Sequence, residues 1–149
     1  MILRRISRAA LTLTCALAAA CGDSPASPEA NTPFSSTDLR VGAGVVAEPG
    51  SIIVVNYTGW LYDSRRTDQK GLQFDTSLGE GLVPLEFALG TGAVIRGWDL
   101  GLIGLKVGGL RKLVIPPSLA YGGSRQGPIP PNTSLVFEVE LLEVKEASQ

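Results

Sequence analysis

The chain of 149 residues is long enough for one domain with appendages, and its formal net charge of -1 gives no basic surface for nucleic acid. Charged residues make up 18% of the sequence, histidine is absent, and both cysteines, Cys15 and Cys21, lie near the N-terminus. Over the rest of the chain these facts exclude a disulfide framework, a Cys/His zinc site and Ser-His or Cys-His nucleophilic catalysis. We therefore expect neither a metal nor a cofactor.

Residues 1–20 predict a cleaved export signal. Three arginines lie among residues 4–8, and the apolar run 9–20 follows them. That run is shorter than the ~20 residues that a membrane-spanning helix needs, as in signal peptides. Residues 22–36 are rich in proline, serine and asparagine, with little to bury, so they predict a disordered spacer. We expect the protein to act outside the cytoplasm.

The predicted cleavage junction, between Ala20 and Cys21, indicates how the mature chain is attached. Residues 18–20 are all alanine and satisfy the small-x-small rule of signal peptidase. The junction also resembles a bacterial lipobox, in which the cysteine becomes a lipidated N-terminus, although Ala18 stands where a leucine is usual. Two interpretations stay open: a chain anchored to a bacterial membrane by lipid on Cys21, and a plainly secreted chain. We favour the first because the mature chain has no other cysteine.

Residues 37–149 predict one α+β domain. Runs of β-branched, aromatic and apolar residues bounded by glycine and proline predict strands at residues 51–61, 73–75, 85–89, 110–115 and 134–145. In the last strand apolar residues alternate with Glu138 and Glu140, which predicts one buried and one exposed face. Helical spacing occurs at residues 94–105, and residues 63–72 are interpreted as a solvated insertion without chemistry. One short helix packed on an antiparallel sheet is the predicted architecture.

Six segments share their order and approximate spacing with a known family. They are residues 55–59, 73–77, 87–90, 94–98, 120–122, and 129–132 with 135–142. Together they resemble the FKBP-type peptidyl-prolyl cis/trans isomerases, the immunophilins that bind macrolides, over residues 37–146. The resemblance implies an FKBP-like fold: a twisted antiparallel β-sheet of about five strands wrapped around one short α-helix, with an apolar pocket between them.

The resemblance also implies the residues of a proline-binding pocket. The residues matching catalytic positions are Tyr57, Asp75, Ile95, Trp98, Tyr121 and Phe137, and those matching substrate-binding positions are Phe74, Leu85, Val94 and Ile129. By the same resemblance the Trp98 indole forms the pocket floor, while the Ile95 N–H and the Tyr121 hydroxyl donate to substrate carbonyls. Residues 76–81 lack the arginine that relatives often place after the pocket aspartate. The sequence therefore does not indicate which group pairs with the Asp75 carboxylate.

The implied reaction needs no nucleophile. Rotation about an X-Pro bond breaks amide resonance, with a barrier of about 18–20 kcal/mol, and no bond is made or cut. A dry aromatic cavity destabilises the dipolar planar amide relative to the twisted transition state. Core packing is the alternative interpretation of each aromatic residue taken alone, because most aromatics in small domains are buried for stability.

The expected function is acceleration of X-Pro rotation during the folding of exported proteins. The expected partners are proline-containing polypeptides and macrolide inhibitors such as rapamycin; we expect a monomer, with no nucleic-acid partner and a membrane contact only through lipid. One alternative is an FKBP-fold chaperone or proline-segment binding module with little turnover. A weaker alternative is an inert surface antigen on a tether.

Overall fold

The computed structural model describes residues 32–145, which contain six strands and one short α-helix. The strands are β1 (Ser35–Arg40), β2 (Ile52–Tyr62), β3 (Lys70–Thr76), β4 (Leu85–Ala88), β5 (Leu110–Ile115) and β6 (Leu135–Lys145). The helix is α1 (Arg96–Gly101), and a 3-10 turn covers Pro117–Leu119. The α+β class with an antiparallel sheet and one short helix is confirmed.

The sheet has the strand order β1-β5-β6-β2-β3, and β4 pairs separately with β2. All pairings are antiparallel, and the longest one joins β2 to β6 from Ile52 opposite Lys145 to Leu61 opposite Leu135. The alternation predicted for β6 is observed, because Val139 and Leu141 are buried while Glu138 and Glu140 are not. Two long alternating strands thus form the centre of the sheet.

Helix α1 packs against β5 at very short range. A Cβ atom added at Gly97 would lie 2.5 Å from Ile115 Cγ2, and one added at Gly101 would lie 2.6 Å from Leu113 Cδ2. Glycine costs a helix up to about 1 kcal/mol relative to alanine. Here the absent side chains let the helix approach the sheet, which places Trp98 in the core at 4% exposure.

The predicted helix over residues 94–105 is wrong in length. The helix begins at Arg96, because Ile95 has extended backbone angles (φ -59°, ψ 146°), and it ends at Gly101. Gly104 has a φ of +79°, which no continuing helix can adopt. The carboxylate of Asp99 accepts hydrogen bonds from the backbone N–H groups of Gly90 (2.8 Å) and Gly92 (2.9 Å), so it also fixes the preceding loop.

Strand β1 is absent from the sequence prediction, which placed residues 22–36 in a disordered spacer. The strand begins at Ser35 and pairs with β5, and Phe34 packs against the core. Every residue of β1 is exposed, so no apolar alternation marks it in the sequence. Pairing and ion pairs hold it instead: Arg111 bonds Asp38 (2.5 Å), and Arg40 pairs with Glu140.

The predicted solvated insertion, residues 63–72, is exposed at residues 64–68, but its last three residues belong to the sheet. Strand β3 begins at Lys70, and the loop before it turns at Gln69, whose φ is +62°. Lys112 on β5 donates to the Asp68 carbonyl (2.8 Å) and to Gln69 Oε1 (2.9 Å). The ammonium of Lys70 lies 4.4 Å from the centre of the Trp60 ring.

The predicted signal segment (1–20) and the predicted lipid-attachment residue, Cys21, lie outside the described residues. Within residues 32–145 no helix is long and apolar enough to cross a membrane. Nor does that part of the chain contain a group of three or more His, Cys, Asp or Glu side chains that could hold a metal ion.

Candidate active site

An open cleft of about 220 Å³ lies between the start of α1 and strands β2, β3 and β6. Its lining residues are Tyr57, Phe74, Asp75, Leu85, Ala93, Val94, Ile95, Trp98, Tyr121 and Phe137. The structure thus brings together every pocket residue predicted from the sequence except Ile129. These residues come from four strands, one helix and two loops, so the pocket exists only in the folded domain.

Ile129 and Ala93 differ from the sequence prediction. Ile129 is 4% exposed in the hydrophobic core, where its backbone closes a turn with Gln126, and it does not line the cleft. Ala93 does line the cleft, immediately before Val94. A single small apolar residue carries no pattern, so only the loop conformation could have identified Ala93.

Four aromatic rings line the pocket and meet in three edge-to-face contacts. Trp98 meets Tyr57 (5.2 Å between ring centroids, 79°) and Phe137 (5.2 Å, 88°) in edge-to-face contacts, and Phe137 also meets Phe74 edge-to-face (5.6 Å, 89°). Such pairs add about 0.5–1.5 kcal/mol each beyond the area they bury. Trp98 and Phe137 are buried in the core and also line the pocket, so the two interpretations of these aromatic residues do not exclude each other.

Gly59 on β2 lets the rings of Phe74 and Phe137 meet. A Cβ atom at this position would lie 2.7 Å from each of the two rings. Gly59 pairs with Phe137 on β6 and with Asp75 on β3. The rings of Phe137 and of Phe74, which precedes Asp75, therefore meet over Gly59. Any side chain at Gly59 would displace one wall of the pocket.

A hydroxyl and a backbone amide hold the carboxylate of Asp75. Tyr57 donates its hydroxyl proton to Asp75 Oδ2 (2.7 Å), and the N–H of Thr76 donates to Asp75 Oδ1 (2.9 Å). These two bonds orient the carboxylate without the arginine that relatives often place nearby. The pair also fixes the Tyr57 ring against Trp98.

The two pocket tyrosines keep their protons well above neutral pH. Burial, followed by the hydrogen bond to Asp75 and its negative charge, raises the pKa of Tyr57 to about 12. Burial and then the charge of Asp75 raise the pKa of Tyr121 above its ordinary value. Both groups are therefore neutral hydrogen-bond donors under ordinary conditions.

Three donors of the pocket have no partner within residues 32–145. The hydroxyl of Tyr121 and the backbone N–H of Ile95 donate to no atom of that part of the chain. The indole Nε1 of Trp98, buried below them, also makes no hydrogen bond there. Because the Tyr57 hydroxyl is engaged by Asp75, the groups available to a ligand carbonyl at the mouth are those of Ile95 and Tyr121.

The arrangement can bind an apolar ring and hold the carbonyl groups beside it. Aromatic and aliphatic side chains supply most of the lining, and the free donors of Ile95 and Tyr121 belong to the same cleft. The side chains that line the cleft include no cysteine, serine or lysine that could act as a nucleophile. These residues can bind a ligand and can favour rotation about one of its bonds.

Comparisons with known proteins agree with this reading. The family model described as FKBP-type peptidyl-prolyl cis-trans isomerase matches residues 44–142. An FK506-binding protein of Neisseria meningitidis serogroup B is 48% identical over 110 residues, which are 73% of this chain and 94% of that protein. A 46 kDa FK506-binding nuclear protein of Spodoptera frugiperda is 47% identical over 113 residues, but the chain spans only 25% of its length. The crystal structure of AtFKBP13 has a TM-score of 0.63 at 36% identity, covering 76% of this chain and 93% of that one.

The family match spans every strand from β2 to most of β6 and all the residues that line the cleft. The sequence identity, the fold and the pocket therefore point to the same group of enzymes. The chain belongs to the FKBP-type peptidyl-prolyl cis-trans isomerases.

Proposed function

We propose that the cleft takes the proline ring of an extended polypeptide and lowers the barrier to rotation about the preceding bond. The observation that carries the proposal is an aromatic surface of Trp98, Phe137 and Tyr57 beside two unpaired donors, the Ile95 N–H and the Tyr121 hydroxyl. The planar amide is more dipolar than the twisted amide, so an apolar cage disfavours the ground state.

Each free donor has a distinct role in this proposal. The N–H of Ile95 and the hydroxyl of Tyr121 hold the carbonyls that flank the proline, which fixes the peptide while the bond between them turns. Tyr57 and Asp75 act by positioning: the hydrogen bond between them holds the Tyr57 ring edge-to-face with the indole. No group needs to gain or lose a proton during rotation.

A protease-coupled assay on a short Xaa-Pro peptide tests the function. The uncatalysed exchange takes tens to hundreds of seconds, and we expect the protein to shorten it in proportion to its concentration. Tyr121→Phe, which removes one free donor and keeps the ring, should reduce kcat/KM by about tenfold, the effect of ~1.4 kcal/mol. Binding of the peptide without turnover would instead identify a proline-segment binding module.

The same cleft is our proposed site for macrolides such as rapamycin and FK506. Support comes from the apolar lining and from relatives that are named FK506-binding proteins. One chain supplies all the lining residues, so the proposed site needs no second copy. Calorimetry with FK506 should show binding that competes with a proline peptide, and absence of binding at micromolar protein would contradict the assignment.

For the cell, we propose that the domain assists the folding of exported proteins while tethered to a bacterial membrane by lipid on Cys21. The support lies in the arginines among residues 4–8, the short apolar run 9–20 and the single thiol at the predicted junction. Exported chains carry X-Pro bonds whose slow isomerisation limits folding, which gives such an enzyme its clients.

A further inference from the structure

The loop that connects β3 to β4, residues 77–84, lies beside the pocket, and we name it the apolar rim. It leaves the pocket wall just after Asp75 and Thr76 and returns to it at Leu85, so lining residues flank it on both sides. Three large aliphatic side chains of the apolar rim lie mostly in solvent: Leu78 (55% exposed), Leu82 (51%) and Val83 (77%).

The apolar rim is firmly attached to the pocket at its base. The backbone N–H of Ser77 donates to the Tyr57 carbonyl (2.9 Å), and the N–H of Tyr57 donates to Ser77 Oγ (2.8 Å). The Thr76 hydroxyl also donates to the Tyr57 carbonyl (3.0 Å). The base of the apolar rim is thereby attached directly to the pocket residue Tyr57.

The middle of the apolar rim, Gly79–Leu82, forms a turn closed by one hydrogen bond. The N–H of Leu82 donates to the Gly79 carbonyl (3.3 Å), and Gly79 and Gly81 both have positive φ angles. This turn leaves the aliphatic side chains at the surface, although burying each would be favourable. Several exposed apolar side chains beside a binding cleft are typical of a surface that a partner covers.

The low charge of the apolar rim and its place beside the pocket indicate what kind of partner it can bind. Glu80 is the sole ionisable residue of the apolar rim, so the rim offers aliphatic surface with one negative charge and no group for an anion. Leu85, which follows the apolar rim directly in sequence, lines the pocket and is itself 36% exposed, so aliphatic side chains extend from the rim into the pocket lining. A polypeptide whose proline occupies the pocket must run out over one of its rims, and an apolar segment fits this one.

We propose that the apolar rim is a second binding region for polypeptide clients, which takes large aliphatic or aromatic side chains a few residues away from the proline. It rests on the proposed function of the pocket and adds a substrate preference to it. Unfolded chains expose both prolines and large apolar residues, whereas short proline peptides reach only the pocket. The enzyme is thus selective for unfolded segments through binding rather than through the chemical step.

The test compares the wild-type full chain with a triple variant, Leu78→Ser, Leu82→Ser and Val83→Ser. A matched control is Val41→Ser, because Val41 is 75% exposed but follows β1, at the opposite edge of the sheet from β3. The substrates are a short Xaa-Pro peptide and longer peptides that carry either leucine and phenylalanine or serine on each side of the proline. Turnover gives kcat and KM, and fluorescence anisotropy gives the Kd.

We expect the triple variant to retain kcat/KM on the short peptide within about twofold. On the apolar long peptide its KM and Kd should rise about tenfold, the effect of one well-buried side chain, with kcat unchanged. The wild type should prefer the apolar long peptide to the serine version, and Val41→Ser should keep that preference.

Three results would overturn the proposal. The wild type could bind both long peptides equally, or the triple variant could lose short-peptide turnover to the same degree. The variant could also abolish self-association or binding to lipid vesicles that the wild type shows without changing peptide affinity, which would assign the surface to another partner. If the wild type turned over no short peptide, the proposed function would fail, while the anisotropy comparison would still decide the role of the apolar rim.

Discussion

The hydrogen bond between Tyr57 and Asp75 defines the polar side of the pocket. Its length of 2.7 Å and the additional bond from the Thr76 N–H leave both carboxylate oxygens engaged. The carboxylate therefore acts on the ligand through the orientation of a ring and through its own charge. Both effects depend on the acceptor at Asp75 rather than on proton transfer.

Replacing Asp75 with leucine should slow turnover with the protein still folded. The hydroxyl of Tyr57 loses its acceptor and the pocket loses a fixed charge, so we expect kcat/KM to fall about tenfold, or ~1.4 kcal/mol. Steady-state assays check the rate, and near-UV circular dichroism checks the aromatic packing. Glu48→Leu, which removes an exposed carboxylate that does not line the cleft, is the control. Wild-type rates in Asp75→Leu would refute this positioning role.

The raised pKa of Tyr57 predicts how stability changes in alkali. An unfolded tyrosine loses its proton near the ordinary value of 10.0, whereas Tyr57 in the folded protein keeps its proton up to about 12. Between these values the unfolded state binds fewer protons, so the contribution of Tyr57 is fully present below about pH 10 and is lost as the pH rises toward 12. In denaturant titrations across this range, the wild type should lose stability more steeply than Tyr57→Phe. Equal slopes would contradict the shift.

Helix α1 depends on its glycines for its position more than for its conformation. Six residues are too few for a helix to be stable alone. Its stability comes from the packing of Trp98 and from Arg111, whose guanidinium donates to the carbonyls of Gly101 (2.9 Å) and Ile103 (3.0 Å) at the C-terminal end. The same arginine bonds Asp38, so β1 and the helix share one anchor.

Gly97→Ala should destabilise the domain although alanine favours helices. The gain in helix propensity is at most about 1 kcal/mol, whereas the new methyl group would meet Ile115 Cγ2 at 2.5 Å, and overpacking of this kind costs about 1–3 kcal/mol. Gly123→Ala is a matched control, since the nearest atom to its Cβ is Asn132 Oδ1 at 3.7 Å. Urea denaturation of both variants measures the difference, and an unchanged midpoint for Gly97→Ala would show that the helix can shift freely.

The domain as a whole combines a rigid aromatic pocket with an aliphatic rim on one side of its mouth. Strands β2, β3 and β6 fix the pocket, because their pairing brings Tyr57, Asp75 and Phe137 to one face. The apolar rim is attached at both ends and is exposed between them. In our proposal the pocket binds the proline and the apolar rim binds side chains of the surrounding segment.

Replacing Cys21 with serine should release the protein into the soluble fraction without changing its turnover. The reason is that lipid attachment needs the thiol, whereas the pocket lies in residues 57–137. Fractionation of cells that express the wild type and Cys21→Ser, followed by the proline-peptide assay, measures both properties. Cys15→Ser is the control, since Cys15 lies in the predicted signal. Intact-mass analysis that finds an unmodified N-terminal Cys21 would refute the lipid attachment.

The sequence by itself determined the class of the domain and most of its site. Strands β2, β5 and β6 could be located because buried, β-branched residues follow one another between glycine and proline. The motifs that resemble the FKBP-type family marked all but one of the side chains that line the cleft. The absence of histidine, together with the absence of cysteine after Cys21, excluded Ser-His and Cys-His nucleophilic catalysis.

The tertiary structure decided what local pattern does not encode. Strand β1 is wholly exposed and is held by pairing with β5. The helix ends at Gly101, and the positive φ of Gly104 excludes the longer helix that was predicted. Ile129 is buried in the core, while Ala93 lines the cleft. The exposure of Leu78, Leu82 and Val83 is another feature that the sequence pattern did not indicate. In each case the environment of the residue is set by chain segments distant in sequence, because sheet pairing and loop closure act only once the fold has formed.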